Sequence, residues 1–218
     1  MKKILRSMIR TMNKVNPPRL TALRELHEAE RGSPISILIG TILSARTKDE
    51  NTSAAVKKLF SKYETAAKLA RAKVSSVERM IKPCGFYHVK AKRIIEVASI
   101  INSQYNGKVP DKIEELLKLP GVGRKTANCV LVYAFEKPAI PVDTHVHRIS
   151  NRLGLVETKT PEETELELRK KIPKKYWLEI NDTFVTYGQN ICKPVSPMCS
   201  VCQLKKDCKY YKTKIASL

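Results

Sequence analysis

Leu116-Leu117-Lys118-Leu119-Pro120-Gly121-Val122-Gly123-Arg124-Lys125-Thr126-Ala127 joins two helix-patterned segments through Pro-Gly-Val-Gly. A proline and two glycines at such a junction predict a sharp turn with no Cβ in the way. Another backbone can then approach closely. The second segment starts at the turn, so its first N–H groups and the positive end of its dipole form an anion site. The same residues also suit a tight turn in which the glycines serve geometry alone. The charge of the whole chain weighs against that plainer reading. The 218 residues carry 41 Lys and Arg against 21 Asp and Glu, a formal net charge of +20. On a folded chain this points to a polyanionic partner, nucleic acid by default and an anionic membrane surface otherwise.

The remaining sequence reads as a mainly α protein. With 42% apolar residues the chain is neither disordered nor fibrous. The longest mostly apolar run, Ile35 to Leu43, is too short to span a bilayer and contains Ser36, Gly40 and Thr41. The first 24 residues hold seven basic side chains and no acid. Arg6 and Arg10 interrupt the unbroken apolar stretch that a secretory signal needs. Ile4, Leu5, Met8, Ile9 and Met12 instead share a helical face, which predicts an amphipathic helix packed on the body, with an organellar transit segment as the alternative. The expected location is intracellular, cytoplasmic or nucleoid-associated. Ser33-Pro34 marks a helix start, and Thr47-x-x-Glu50, Ser75-x-x-Glu78, Asp111-x-x-Glu114 and Thr160-Pro161-Glu162-Glu163 resemble capping boxes. Apolar residues follow at three-and-four spacing, as in Val56, Leu59 and Phe60, or Leu166, Leu168 and Ile172. Breaks fall at Asn16-Pro17-Pro18, Asn106-Gly107 and Lys137-Pro138. No run alternates as a strand would, so about ten helices joined by short loops are expected.

Two side chains stand out for chemistry. Lys125 lies in the first turn of the segment after the glycines. The positive helix end and the adjacent Arg124 disfavour its ammonium form, which makes it either a nucleophile or one more phosphate-binding lysine. Asp143, in Val142-Asp143-Thr144-His145-Val146-His147-Arg148, suits a helix N-cap. A capping carboxylate is held in place and kept ionised, so it can also stabilise positive charge developing on a sugar. His145 and His147 are two apart, on different faces of a helix, and read as structural rather than as a metal pair. Cys84 and Cys129 are isolated in apolar surroundings and read as core. Cys192, Cys199, Cys202 and Cys208 fall within seventeen residues. Four thiols so clustered suit a metal or an iron–sulfur centre, and spacing alone leaves zinc open.

The stretches 119–128 and 142–148 and the C-terminal C-x6-C-x2-C-x5-C together resemble the endonuclease III family, over nearly the whole chain from about Pro34 to Cys208. The turn itself looks like the family's helix-hairpin-helix element, which grips phosphate without reading sequence. The resemblance implies an all-α, two-domain fold. A six-helix domain would span residues 28–137. A cluster domain would combine residues 1–27 with 138–218. DNA would lie across a cleft, with Lys125 and Asp143 at its mouth. The implied partner is damaged double-stranded DNA, with no membrane and with the chain acting as a monomer.

The implied activity is that of a base-excision DNA glycosylase for oxidised pyrimidines with associated abasic-site lyase activity. A flipped-out nucleotide would be attacked at C1′ by Lys125 with help from Asp143. The four clustered cysteines would hold a [4Fe–4S] cluster. Arg46, Phe86, Gly121, Val122, Gly123 and Arg124 would contact DNA. Leu43-Ser44-Ala45-Arg46 stands where the family has Leu-Ser-Ala-Gln, and Gly85-Phe86-Tyr87 where it has Gly-Leu-Tyr. Arg46 enters a base stack with a charge and prefers guanine edges, while Phe86 keeps a wedge role through stacking. Phe86 is otherwise a core aromatic. Relatives acting on mismatched uracil or thymine commonly carry another residue, often Tyr, at the nucleophile position, so Lys125 argues against that specificity. A non-catalytic DNA-binding module is opposed by Lys125, Asp143 and the complete cysteine set.

The hairpin and the catalytic pair use only a few basic residues, so most of the +20 charge is expected to serve non-specific attraction to DNA. Affinity for undamaged duplex should therefore fall steeply with added salt, measured by fluorescence anisotropy across a salt series. A flat salt dependence would contradict this use of the charge.

Overall fold

The computed structural model describes residues 1–15, 24, 28 and 33–215. Eleven α-helices are bounded within them: α1 (Lys2–Val15), α2 (Pro34–Ser44), α3 (Asp49–Phe60), α4 (Ala66–Ala70), α5 (Val74–Ile81), α6 (Tyr87–Gln104), α7 (Ile113–Leu116), α8 (Arg124–Phe135), α9 (Thr144–Leu153), α10 (Pro161–Lys171) and α11 (Trp177–Asn190). Among the described residues there is no strand. No described helix is long and apolar enough to cross a membrane. The chain divides into two compact units, Ala22–Lys137 and Met1–Thr21 with Pro138–Leu218. The expected turn at Asn16-Pro17-Pro18 and the expected domain edge at residue 27 lie outside the described residues.

The unit Ala22–Lys137 is organised around α2. Every residue from Ile35 to Leu43 is buried, so the helix has no solvent face. It packs on α8, α3 and α6. Helix α6 packs in turn on α4 and α5, burying Ile94, Val97, Ala98 and Ile101. Cys84 and Cys129 are buried core residues, as expected.

The other unit closes on a core of Leu5, Met8 and Met12 from α1, Val146 and Ile149 from α9, and Ile180 and Phe184 from α11, among others. The N-terminal helix thus packs on the body. Ile9 is the exception to its expected apolar face, standing 42% exposed beside the buried stripe of α1. Leu166 likewise faces outward on α10, where Leu168 and Ile172 carry the packing. Trp177 is buried, and its indole N–H donates to Ile172 O at 2.8 Å.

Three expected capping boxes do not form. Helix α3 starts one residue later, from Lys48, because the Thr47 hydroxyl is taken by Gly85 N and Lys90 Nζ. Helix α5 starts earlier, from Lys73, with Ser76 N bonded to Lys73 O. Helix α7 starts from Lys112, since the Asp111 carboxylate pairs with Lys137. Ser33 does precede α2 with Pro34 in its first turn, although its side chain makes no cap bond. The fourth box forms in full: Glu163 N donates to Thr160 Oγ1 at 3.2 Å, and Glu163 Oε2 accepts from Thr160 N. Thr160→Ala should lower the unfolding free energy by about 1 kcal/mol in urea denaturation; a change near zero would mean the cap bond is not needed.

Candidate functional site

A groove of about 320 Å3 opens in the unit Ala22–Lys137, lined by Arg46, Phe86, Lys90, Arg93, Gly121 and Thr126 together with the end of α2. Two turns supply exposed side chains to it. One follows α2 and carries Arg46 at φ 53°; the other precedes α6 and carries Phe86 at φ 57°. Left-handed backbone at non-glycine residues costs about 1 kcal/mol or more each, so packing must hold both turns. Phe86 is 62% exposed, which removes the core-aromatic reading. The Arg46 guanidinium lies over its ring, 5.5 Å from the centroid.

The two turns touch directly. A Cβ on Gly85 would stand 2.6 Å from Arg46 O, so only glycine allows this approach. Gly85 N donates to Thr47 Oγ1 at 3.2 Å. Beneath them lies Lys90, a residue that composition and motif did not single out. It is 7% exposed, and its ammonium donates to Leu43 O at 2.8 Å, Ala45 O at 2.6 Å and Thr47 Oγ1 at 2.9 Å. Burial holds its pKa below the ordinary lysine range, with the neighbouring Cys84 opposing that shift. Burial raises the Cys84 thiol in turn, against the nearby Lys90 charge. The sequence signal for Lys90 is faint: a lysine three residues before Arg93 in a helix whose neighbours Ala91 and Ile94 are core.

The glycine turn lies at the same groove. Gly121 has φ 72°, and a Cβ there would fall 2.4 Å from the Arg93 side chain. Val122, expected as a contact residue, is turned inward: its side chain is buried and its N–H donates to Leu119 O at 3.1 Å. Gly121 and Gly123 are exposed. A Cβ on Gly123 would meet nothing within 4 Å, and its φ of −90° is ordinary for any residue. Nothing inside the protein demands glycine at 123, so the open space it keeps suits an external backbone. Gly123 is the N-cap of α8, and Arg124 and Lys125, both half-buried, occupy the helix's first turn.

In the other unit, Asp143 is the N-cap of α9. Its Oδ1 accepts from His145 N and Val146 N, both at 2.9 Å. No hydrogen bond to Oδ2 occurs among the described residues. The two histidines serve structure, as their spacing suggested. His147 Nδ1 lies 2.6 Å from Thr164 Oγ1, and His145 Nδ1 lies 3.1 Å from Arg148 Nη2.

Cys192, Cys199, Cys202 and Cys208 line one small cavity of about 30 Å3, with Ile149, Tyr187 and Met198 among its walls. Burial, then the proximity of the other three cysteines, raises the Cys199 thiol, and Arg152 opposes the shift. Burial likewise raises Cys208, against backbone hydrogen bonds from Tyr210 and Tyr211. Two arginines of α9 fix the first cysteine: Arg148 donates to Cys192 O at 2.9 Å, and Arg152 to Lys193 O at 2.7 Å and to Cys192 Sγ at 3.4 Å. Tyr187, which no motif singled out, places its hydroxyl 2.9 Å from Cys202 Sγ. Four soft donors around one cavity fit a thiolate-bound centre. Among the described residues, no three His, Cys, Asp or Glu side chains converge to metal-holding geometry.

The family model of the HhH-GPD superfamily base excision DNA repair protein matches residues 39–174. The endonuclease III of Thermotoga maritima is 55% identical over 181 residues, 83% of this chain and 85% of that protein. A solved trapped endonuclease III–DNA covalent intermediate is 37% identical, covering 88% of this chain and 94% of that one, with a TM-score of 0.78. A thermostable thymine-DNA glycosylase structure is 27% identical, covering 97% and 96%, with a TM-score of 0.82. A glycine turn opening α8, an aspartate capping α9 and four cysteines on one cavity thus occur in a chain that belongs to the endonuclease III family of HhH-GPD base-excision repair proteins.

Proposed function

We propose that this chain removes oxidised pyrimidines from duplex DNA and cleaves the resulting abasic site through a Schiff base on Lys125. Its family makes it a base-excision repair DNA glycosylase with abasic-site lyase activity. The observation that carries the residue assignment is the position of Lys125. It lies in the first turn of α8, two residues past a glycine whose outer face is open. A lysine amine held at that place is the nucleophile the lyase step needs.

Gly121, Gly123 and the start of α8 hold a DNA phosphate, and Arg124 adds charge there. Arg46 and Phe86 enter the duplex where the damaged nucleotide leaves it. The Lys125 Nζ lone pair forms a bond to C1′ as the base leaves with the glycosidic electrons. Asp143, held in place by its two backbone N–H bonds, stabilises the positive charge on the sugar. Ring opening gives the protonated Schiff base. Loss of a C2′ proton then expels the 3′ phosphate by β-elimination, and hydrolysis frees the lysine. Cys192, Cys199, Cys202 and Cys208 are the residues that would hold a [4Fe–4S] cluster. When bound, the cluster supplies a structural crosslink that ties the C-terminal segment to the end of α11.

Borohydride trapping on duplexes containing thymine glycol, an abasic site or a G·T mismatch tests the reading. Covalent adducts are expected with the first two and should vanish in Lys125→Gln. The G·T arm is included because of the likeness to a thymine-DNA glycosylase. Base release from G·T without trapping on any duplex would sink the lyase reading in favour of a monofunctional enzyme. For the cluster, freshly purified protein should absorb in the visible near 400 nm (roughly) through iron–thiolate charge transfer, and Cys199→Ala should lose that band. Colourless protein with stoichiometric zinc would overturn the iron–sulfur assignment.

A further inference from the structure

We infer that Lys90 is a positioning residue that sets how Arg46 and Phe86 meet the duplex, and thereby the preference for the base opposite the lesion. This rests on the reading of those two side chains as the ones that enter DNA.

The last carbonyls of a helix have no partner within it and carry the negative end of its dipole. Here α2 is buried from Ile35 to Leu43, and Leu43 O lies in the interior. Lys90 Nζ satisfies Leu43 O and Ala45 O, and its third bond goes to Thr47 Oγ1. An ammonium has three donors, and all three are used. The acceptors span the residues on both sides of Arg46, so the bonds clamp the turn on which Arg46 takes φ 53°.

The same lysine is anchored to the second turn. Its own N–H donates to Phe86 O at 3.0 Å, and Phe86 takes φ 57° at the N-cap of α6. Thr47 Oγ1 receives both Lys90 Nζ and Gly85 N, and Gly85 stands against Arg46 O. Lys90 therefore joins two strained turns through one buried ammonium and one backbone bond. Its ammonium bonds go to two backbone carbonyls and to Thr47, so its effect on DNA passes through the side chains those turns carry.

The test uses full-length protein with its cysteine site loaded. The duplexes carry an abasic-site analogue, for affinity, or thymine glycol opposite adenine or guanine, for single-turnover rates. Lys90→Met keeps the stem and removes the ammonium. Affinity for the analogue duplex should fall about tenfold, the loss expected for charged hydrogen bonds broken in a buried turn. The ratio of rates opposite guanine and adenine should move to the value found for Arg46→Ala. Combining the two substitutions should bring no further loss, since both act through one side chain. Thr47→Val removes a single acceptor and should move the same ratio in the same direction, by less.

An unchanged ratio in a folded Lys90→Met protein overturns the inference, as do additive losses in the double variant. If Lys90→Met fails to fold, Thr47→Val decides, and an unchanged ratio there overturns it. Should Arg46→Ala and Phe86→Ala both bind and discriminate like the unaltered protein, the reading of those side chains fails and this inference falls with it. That outcome is distinct from one in which Arg46→Ala moves the ratio and Lys90→Met does not.

Discussion

Helix α2 has no face in water, and much of the unit Ala22–Lys137 follows from that constraint. A helix apolar on all sides must be surrounded, and α3, α6 and α8 surround it. Burial solves the side-chain problem and creates a backbone one. The carbonyl of Leu43, near its C-terminal end, is buried, and an unpaired buried carbonyl is costly. A charged donor from a neighbouring helix is a strong remedy. That donor must itself be buried, so its ammonium needs a full set of acceptors. The Lys90 bonds meet both needs at once. The chain leaving α2 is therefore fixed by interior hydrogen bonding, although its side chains point into a groove.

That arrangement explains why two non-glycine residues tolerate left-handed backbone beside each other. Exposed loops normally relax such strain. Here the turn after α2 and the turn before α6 are pressed together at Gly85 and bonded through Thr47. The strain is held by contacts below the surface, and Arg46 and Phe86 are left exposed at the tips. Their mutual contact, guanidinium over ring, covers part of the phenyl face in the absence of DNA.

The helical class, the glycine turn, the Asp143 cap and the shared site of the four cysteines were legible in the sequence because each rests on local chemistry at fixed spacing. Thr160 formed its box for the same reason. Two of the three failed capping boxes share a cause. Thr47 and Asp111 have capping side chains, yet each was claimed by a distant partner, Gly85 and Lys90 for the first and Lys137 for the second. Ile9 and Leu166 fit an apolar pattern but fall on the edge of a stripe whose position tertiary packing decides. Lys90 was invisible because its value lies in carbonyls more than forty residues away. Val122 sits inside a motif whose glycines face outward, and pattern alone does not say that its own side chain anchors the turn.

The positive charge, too, divides by what surrounds it. Lys90, Arg148 and Arg152 are committed to backbone carbonyls: the first at the end of α2, the other two on the segment that starts at Cys192. Substituting any of them removes a structural bond along with a charge, so loss of DNA binding in such variants would not measure electrostatics. Arg93 is a different case. It is exposed, lies against Gly121 and lines the groove with Arg46. Gly121 requires glycine for its φ of 72° whatever its neighbour, so the Arg93 side chain can swing away without cost to the turn. An exposed cation beside the glycine turn adds positive charge at the surface without adding rigidity. Long-range attraction needs only charge near the surface, whereas the choice of base needs atoms held in place. In this chain the turn after α2 is held by the buried Lys90 ammonium together with the Gly85–Thr47 bond.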